Sequence, residues 1–317
     1  MSFVPEKQVF KSSIDVLEIG TGETSVKLGG QSVWPLYAFD GPLVNPPRVG
    51  IQISDLGCAG AIAGIQDYYA DCADIAAQTI RAAEVPGAEF VCLILEGADP
   101  NGADRSVAET VELVKTVAAA CPLPLTIAGC GSAEKDAELF EALAEELEGR
   151  NVLFLSATED NYKALGAAVV LAWGQKLAAE SAVDINLAKQ LNLLLGQIGV
   201  PNSALAMNVG CAVAGYGFEY VASTMERVKI TALGQNDAAL QIPIITPVGT
   251  DAWTVKESMA EEADFPEWGS REERGISFEV ATAAACLAAG ADAVLLRHPE
   301  SVSTIATLIG LLTEGGE

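Results

Sequence analysis

The chain has 317 residues, of which half are hydrophobic and 19% are charged, so it can bury a large core as one α/β barrel with extensions or as two domains. Acidic residues outnumber basic residues 43 to 18, and the net charge of −25 argues against DNA, RNA and anionic membranes as partners, because the protein's field repels them. The first 13 residues lack the apolar core of a signal peptide, and the apolar runs are far shorter than the roughly 20 residues of a membrane-spanning helix. We therefore expect a cytoplasmic protein.

Residues 1–47 are predicted to form an extension built on a β-hairpin. Two segments that roughly alternate apolar and polar residues, 9–17 and 24–28, flank the turn residues Gly20-Thr21-Gly22. Prolines 42, 46 and 47 end this extension, and residues 48–317 form the second unit.

Eight short apolar runs in the second unit are predicted to be strands. They mostly lack polar alternation, which is typical of parallel strands covered on both faces. The runs are residues 49–53, 90–95, 125–128, 152–155, 167–171, 205–207, 242–245 and 293–296.

Helical patterns fill the gaps between these runs. Ser106 with Glu109 and Ser156 with Glu159 match the capping box, Asp184 is a candidate N-cap, and Pro299 suits the first turn of a final helix. Eight strand–helix units predict an α/β fold, a TIM (β/α)8 barrel with an N-terminal β-hairpin extension. The alternative, an open doubly wound sheet, lacks a G-x-G-x-x-G motif after its first strand.

The functional face of such a barrel lies at the carboxyl ends of the strands. The residues that follow the eight runs are rich in glycine and small hydroxyl side chains, which allow a large ligand to approach the backbone closely. Tyr216 either lies flat against a planar ligand or packs at the entry of a helix. The candidate ligand contacts are Gly129, Ser156, Asn208, Gly210, Gly215, Tyr216, Gly217, Thr246, Gly249, Thr250 and Arg297.

The same edge offers few acid–base groups, and no residue is predicted to be catalytic. Glu96 and Asp99 form either an acid–base pair or, with Gly97 and Pro100, a turn closed by a carboxylate. His298, the single histidine, is expected to cap the last helix rather than to transfer a proton. The seven cysteines contain no C-x-x-C pair, so neither a disulfide framework nor a metal site is expected, although Cys130 lies between two glycines.

An ordered set of short motifs resembles the small subunit of the corrinoid iron–sulfur protein, which is also the delta subunit of the acetyl-CoA decarbonylase/synthase complex. The resemblance extends from about residue 35 almost to the end of the chain. The motifs are Glu96-Gly97-Ala98-Asp99-Pro100 with Gly102-Ala103, Asp160-Asn161-Tyr162-Lys163, Asp184-Ile185-Asn186 with Lys189-Gln190-Leu191-Asn192, Gly215-Tyr216-Gly217, Glu219-Tyr220, Met225-Glu226-Arg227, Ala252-Trp253, Lys256-Glu257, Glu273-Arg274-Gly275 and Arg297-His298-Pro299.

This resemblance implies a subunit without independent turnover that forms a heterodimer with a large subunit. The partner carries a [4Fe–4S] cluster, and a corrinoid (cobalamin) is held between the barrel rim and the partner. The implied cobalt accepts a methyl group from methyltetrahydrofolate or a related pterin through a methyltransferase. It then delivers the methyl group to acetyl-CoA synthase, which works with CO dehydrogenase, in the reductive acetyl-CoA (Wood–Ljungdahl) pathway of carbon fixation.

Two sequence features bear on that implication. The family tends to have Asp-Pro after the sixth strand where this chain has Asn208-Val209, which favours binding over acid–base chemistry there. The chain also lacks a D-x-H-x-x-G motif, the usual source of a protein imidazole ligand to cobalamin, as expected for a carrier that passes through cobalt(I).

Two other functions remain open at this stage. One is a free-standing TIM-barrel methyltransferase that binds methyltetrahydrofolate, with Asp55 and Asn208 holding the pterin. The other is a barrel that serves only as a docking scaffold.

Overall fold

A computed structural model describes residues 6–36, 40–58 and 61–313. An antiparallel hairpin of two short strands comes first, followed by eight parallel strands in one sheet. The strands are β1 (Leu17–Ile19), β2 (Val26–Leu28), β3 (Arg48–Ser54), β4 (Phe90–Ile94), β5 (Leu125–Ala128), β6 (Leu153–Ala157), β7 (Lys176–Glu180), β8 (Leu205–Asn208), β9 (Ile245–Thr246) and β10 (Ala293–Leu296).

The eight parallel strands close into a barrel. Their order in the sheet is β8-β7-β6-β5-β4-β3-β10-β9, so β8 and β9 stand at its two edges. A parallel bridge between Met207 and Ile244 joins these edges, and the amide of Met207 donates to the carbonyl of Pro243 at 2.8 Å. The TIM barrel and the hairpin predicted from the sequence are confirmed.

Helices pack on the outside of the barrel between successive strands. They are α1 (Ala63–Tyr68), α2 (Ile75–Ala83), α3 (Val107–Ala120), α4 (Ala133–Glu146), α5 (Tyr162–Leu165), α6 (Ile185–Gln197), α7 (Phe218–Lys229), α8 (Val248–Ala252), α9 (Lys256–Met259), α10 (Arg271–Ala289) and α11 (Pro299–Thr313). Helix α5 continues as a π-helix over Gly166–Ala172, and α7 continues as a π-helix over Ile230–Gly234.

One predicted strand is wrong. Residues 167–171 lie in the π-helix after α5, where Gly166, Val169 and Val170 are buried at helical spacing while Leu171 is exposed. The barrel strand of this unit is β7 instead. Its apolar run is only Leu177, Ala178 and Ala179, which is a weaker apolar signal than that of the helix before it.

The predicted helix starts have mixed outcomes. Ser106 and Glu109 form both hydrogen bonds of a capping box at the start of α3, and the carboxylate of Asp184 accepts the amides of Asn186 and Leu187 at α6. The capping box predicted at Ser156 is wrong, because Ser156 belongs to β6 and the next helix starts after Asn161.

The hairpin closes the amino-terminal end of the barrel. Leu17, Ile19 and Leu28 are at most 1% exposed, and they share one buried apolar cluster with Phe90 and Leu295 of the barrel strands. Backbone contacts fix this position: the amide of Gly20 donates to the carbonyl of Asn151, just before β6, at 2.8 Å. The extension is therefore part of the barrel core.

A buried ion pair lies near the same end. The ammonium Nζ of Lys229 is 2.5 Å from Oδ2 of Asp292, and both side chains are almost fully buried. The same carboxylate oxygen accepts the amide of Ile244 at 2.7 Å, and Gln31 donates to the other oxygen. This network joins α7 and the starts of β9 and β10 to the segment that follows the hairpin.

Across residues 6–36, 40–58 and 61–313, no helix combines the length and the apolar character that crossing a bilayer requires.

Candidate functional site

A cavity of about 510 Å³ opens at the carboxyl ends of the strands, and we call it the mouth. Residues from β3 to β10 and from the loops that follow them line it, so it lies where the barrel topology places functional sites. Its lining is Gln52, Ile94, Ala128, Gly129, Gly131, Ala133, Asp136, Leu155, Ser156, Thr158, Asn161, Glu180, Ala182, Val183, Asn208, Gly210, Cys211, Ile245, Pro247, Thr250, Asp251 and Leu295.

Asn208, at the end of β8, organises one wall of the mouth. Its amide nitrogen donates to Ser156 Oγ at 3.1 Å and to Glu180 Oε2 at 3.2 Å, while its oxygen accepts the amide of Gly210 at 3.0 Å. The side chain is only 6% exposed, so these bonds fix its orientation. The ends of β6, β7 and β8 are thereby joined by one side chain.

Gln52, in β3, forms the opposite wall. Its amide nitrogen donates to Thr250 Oγ1 at 3.1 Å. Its amide oxygen is buried and has no hydrogen-bond partner among the described residues. A buried acceptor without a donor is unfavourable, and this oxygen packs at Gly249, where a Cβ would lie 2.5 Å from it.

Two carboxylates that line the mouth, Asp251 and Glu180, interact electrostatically. Burial, followed by the negative charge of Glu180, raises the pKa of Asp251 from 3.8 to about 6. Asp251 lies in α8 and Glu180 at the end of β7, so barrel closure brings together residues that are distant in sequence. The pair gives the mouth an acidic, acceptor-rich character.

Asp136 adds a third carboxylate from the first turn of α4. Oδ1 and Oδ2 accept the amides of Cys130 at 2.7 Å and Gly131 at 3.1 Å, and burial still raises the pKa of this carboxyl. Burial also raises the pKa of the Cys130 thiol to about 11, so Cys130 is a protonated thiol at neutral pH. The glycines on either side of Cys130 belong to a turn that Asp136 stabilises by accepting these two amides.

The mouth brings together five of the residues predicted from sequence, which are Gly129, Ser156, Asn208, Gly210 and Thr250. Thr246 and Gly249 do not line the cavity. Thr246 is fully buried at the end of β9, and a Cβ on Gly249 would lie 2.5 Å from Gln52 Oε1 and 2.8 Å from the amide of Arg297. Gly249 thus allows α8 to approach the barrel closely.

Gly215, Tyr216 and Gly217 lie in the loop before α7 and outside the cavity lining. Both glycines have left-handed backbones, with φ of +88° and +91°, and Tyr216 is 47% exposed. The Tyr216 hydroxyl donates to Glu257 Oε2 of α9 at 2.5 Å. This contact ties the loop to the excursion between α8 and α10.

Arg297 lines a second cavity of about 390 Å³ beside the mouth, and Gln52 separates the two. Its guanidinium Nη2 is 3.8 Å from Glu96 Oε1. Glu96 also accepts the hydroxyl of Ser54 at 2.5 Å, so it is held by structural contacts. Asp99 accepts the amide of Asn101 at 2.8 Å, which is the turn geometry that the sequence suggested.

His298 caps the last helix. Its Nδ1 accepts the amide of Glu300 at 3.1 Å, Nε2 is 3.0 Å from Glu272 Oε1, and the ring stacks on Trp253 with centroids 5.9 Å apart. The single histidine is therefore engaged away from the mouth.

Sequence reasoning missed Gln52, Asp136 and Glu180 as lining residues. Glu180 was missed because the prediction placed the strand of this unit at residues 167–171, whereas the strand is β7, which ends at Glu180. Gln52 carried a usable signal, since it is the polar residue inside the otherwise apolar run 49–53. Asp136 sits in a helix and gave no such signal.

Among the described residues, no group of three or more His, Cys, Asp or Glu side chains is arranged to hold a metal ion.

The fold and the mouth define a TIM barrel with an open, glycine-rich and acidic cavity at the ends of its strands. The barrel resembles dihydropteroate synthase from Vibrio fischeri, with a TM-score of 0.57, 12% identity and coverage of 95% of this chain and 99% of that one. The enzyme from Stenotrophomonas maltophilia gives a TM-score of 0.54 at 15% identity, with coverage of 86% and 94%. At such identities the likeness shows the fold alone.

The chain belongs to the family of the CO dehydrogenase/acetyl-CoA synthase delta subunit, whose model matches residues 16–308. The acetyl-CoA decarbonylase/synthase complex subunit delta of Archaeoglobus fulgidus is 31% identical, with coverage of 98% of this chain and 71% of the relative. The subunit delta of Methanothermobacter thermautotrophicus is 30% identical, with coverage of 95% and 76%. The resemblance stated from the motifs is confirmed, and the family is that of a subunit of a complex.

Proposed function

We propose that this protein is the small subunit of a heterodimeric methyl carrier and that its mouth covers one face of a corrinoid. The observation that carries the proposal is the open mouth of a barrel in this family, lined by residues from all eight barrel strands. The cavity accommodates part of a corrin ring, which leaves the rest of the ring to a second protein surface.

The residues present fit such a ligand. Ser156, Asn208 and Thr250 offer hydroxyl and amide groups, and Gly129 and Gly210 line the cavity with backbone. A corrinoid, when bound, supplies a cobalt that carries the methyl group. The chain's own residues bind the ring edge, orient it through the fixed Asn208 side chain and exclude water from one face.

The position of His298 supports a carrier role. Its two ring nitrogens are engaged by Glu272 and by the amide of Glu300, so this chain has no free imidazole to offer a metal. A corrinoid held in the mouth would receive no imidazole from this chain, which would suit a carrier whose cobalt must reach cobalt(I).

The partners of the proposed complex follow from the family. They are a large corrinoid iron–sulfur subunit that carries the [4Fe–4S] cluster, a methyltransferase that uses methyltetrahydrofolate or a related pterin, and acetyl-CoA synthase with CO dehydrogenase. Methyl transfer along this route belongs to the reductive acetyl-CoA pathway.

The alternative of a free-standing pterin methyltransferase finds less support. Asp55, one of the two residues expected to hold the pterin, does not line the mouth. Its carboxylate accepts the amide of Gly97 at 2.7 Å and pairs with Arg105.

Co-expression with the large partner tests the proposal. The purified complex from cells supplied with cobalamin is expected to show the visible absorption bands of a corrinoid, with cobalt in proportion to protein. Thr250→Trp places a large side chain in the mouth and is expected to lower the cobalt content at least about tenfold. A tenfold fall corresponds to a loss of about 1.4 kcal/mol of binding free energy when the corrinoid is limiting.

Thr304→Trp is the matched control, because Thr304 is an exposed threonine on α11. It should leave the cobalt content unchanged. A wild-type complex without corrinoid bands would refute the proposed function.

A further inference from the structure

Two cysteines that are distant in sequence lie at one wall of the mouth. Cys211 follows β8, is half-buried and lines the cavity. Cys286 lies in α10 and is 0% exposed. Both are free thiols. One thiol of the pair is thus reachable from the mouth, whereas the other has no exposed surface.

A hydrogen bond between the loop and the helix fixes the two segments against each other. The amide of Ala214 donates to Thr282 Oγ1 at 3.1 Å. Cys286 lies one turn after Thr282 on the same face of α10. Cys211 lies three residues before Ala214 and packs against the buried apolar cluster to which Cys286 belongs. The loop after β8 therefore brings its cysteine next to that of the helix.

The two thiols contact each other directly. A hydrogen bond with the Cys211 thiol, followed by burial, raises the pKa of the Cys286 thiol. Sulfur atoms that share a hydrogen bond are neighbours, and a disulfide forms only between cysteines that approach closely. The protonated form of Cys286 is favoured, and the thiolate is the nucleophile in disulfide exchange, so a reagent in the mouth meets Cys211 first.

We propose that Cys211 and Cys286 form a reversible redox pair at the mouth, with Cys211 as the entry thiol and Cys286 as the resolving thiol. The oxidant is a small-molecule disulfide that enters the mouth. The product is an intramolecular disulfide that ties the loop after β8 to α10. The proposal does not depend on which ligand the mouth holds.

The reaction consists of two exchanges. The Cys211 thiolate attacks one sulfur of the small disulfide, which forms a mixed disulfide and releases one small thiolate. Cys286 then loses its proton and attacks the Cys211 sulfur, which closes the protein disulfide and releases the second small thiolate. The two protein thiols give up two electrons and two protons, and the reagent leaves as two thiols. The second exchange is the slower one, because burial opposes formation of the Cys286 thiolate.

Oxidised glutathione is the probe for this reaction. The reduced, folded chain is incubated with it, the remaining thiols are blocked with N-ethylmaleimide, and a digest is analysed by mass spectrometry. We expect a linked peptide that contains Cys211 and Cys286, two hydrogens lighter than the sum of its two parts, and dithiothreitol should separate it. The linked peptide is expected to form at least about tenfold faster in the folded chain than in the urea-unfolded chain, because the fold holds the thiols together.

Three variants assign the two roles. Cys286→Ala is expected to stop the reaction at the mixed disulfide on Cys211. Cys211→Ser is expected to slow modification of Cys286 at least about tenfold, because Cys286 has no exposed surface. Cys72→Ser is the control, since Cys72 is also a half-buried free thiol, and it should form the linked peptide at the rate of the wild type. Circular dichroism checks that each variant is folded.

Two results with the wild-type chain overturn the proposal, so it stays testable even if a variant does not fold. One is accumulation of mixed disulfides without the linked peptide. The other is formation of the linked peptide no faster in the folded chain than in the unfolded chain. Neither result bears on the proposed function, because the cobalt content is measured separately on the reduced complex.

Discussion

Asp251 is a partly buried carboxyl of the mouth whose environment differs from that of an exposed carboxyl. Burial and the nearby charge of Glu180 raise its pKa to about 6, so ionisation costs folding free energy. The stabilising contribution of the protonated form is complete below the ordinary pKa of 3.8 and is lost as the pH rises through about 6. A charge is thus kept in the mouth at neutral pH at some cost to stability, as is common at functional sites.

Replacing Asp251 with Asn tests this account. Asn removes the charge and keeps the shape, so we expect the free energy of unfolding at pH 7.5 to rise by about 1 kcal/mol, a figure reduced for partial solvent screening. At pH 4.5 the gain should be much smaller, because the native carboxyl is already protonated. Urea denaturation at the two pH values measures both quantities, and an equal gain at both would contradict the assignment.

The hairpin of β1 and β2 is the element that joins the extension to the barrel. The sequence predicts a boundary between 1–47 and 48–317, and that division into domains stays a prediction. Leu17, Ile19 and Leu28 nevertheless pack in the same buried cluster as barrel side chains. Barrel strands leave an apolar opening at their amino ends, and the hairpin covers it in this protein.

Truncating one hairpin side chain is expected to destabilise the whole barrel. Ile19 is 0% exposed, so Ile19→Ala should lower the free energy of unfolding by about 2–5 kcal/mol through lost burial and a residual cavity. Val9→Ala is the control in the same extension, since Val9 is 81% exposed, and it should change stability by less than about 0.5 kcal/mol.

Urea denaturation followed by circular dichroism reports both variants. If Ile19→Ala lowered only the signal of the extension and left the main transition in place, the hairpin would be an independent unit.

At the scale of the whole molecule, three of the exposed apolar side chains lie in or beside the loops that follow β8 and β9. Tyr216 is 47% exposed, Tyr220 is 68% exposed, and Met259 of α9 is 48% exposed. Tyr216 and α9 are joined through Glu257, so these elements form one surface at the mouth end. Exposed aromatic and methionine side chains are typical of protein interfaces.

Binding of the large partner is expected to protect this surface. Hydrogen–deuterium exchange of the complex should slow the backbone amides of residues 211–220 and 256–268 relative to the free chain. Helix α11, on the outside of the barrel, serves as the internal control and should exchange at the same rate in both. Protection of α11 without protection of the rim would place the partner elsewhere.

Much of the architecture was predictable from local sequence. Seven of the eight barrel strands follow from apolar runs, because a parallel strand buried on both faces must be apolar throughout. The exception, β7, has only Leu177, Ala178 and Ala179 between two charged residues, and the prediction placed the strand in the more apolar helical segment before it. The capping residues Ser106 and Asp184 were predictable because a cap is a contact within one helical turn.

The candidate site was only partly predictable. Ser156, Asn208 and Thr250 follow from the rule that sites lie after barrel strands. Whether a residue after a strand faces the cavity depends on the path of its loop. Tyr216 and Arg297 follow barrel strands in sequence, but neither lines the mouth. The sequence also offered no reason to pair Glu180 with Asp251.

The amino-acid sequence by itself determined the barrel, its hairpin and the family, since apolar periodicity and ordered motifs are properties of the chain. Only the tertiary structure decided that Gln52, Glu180 and Asp251 share one cavity and that the hairpin fills the barrel end. The physical reason is closure of the sheet: it sets the distances between side chains that are far apart along the chain, and those distances determine burial, hydrogen bonding and charge.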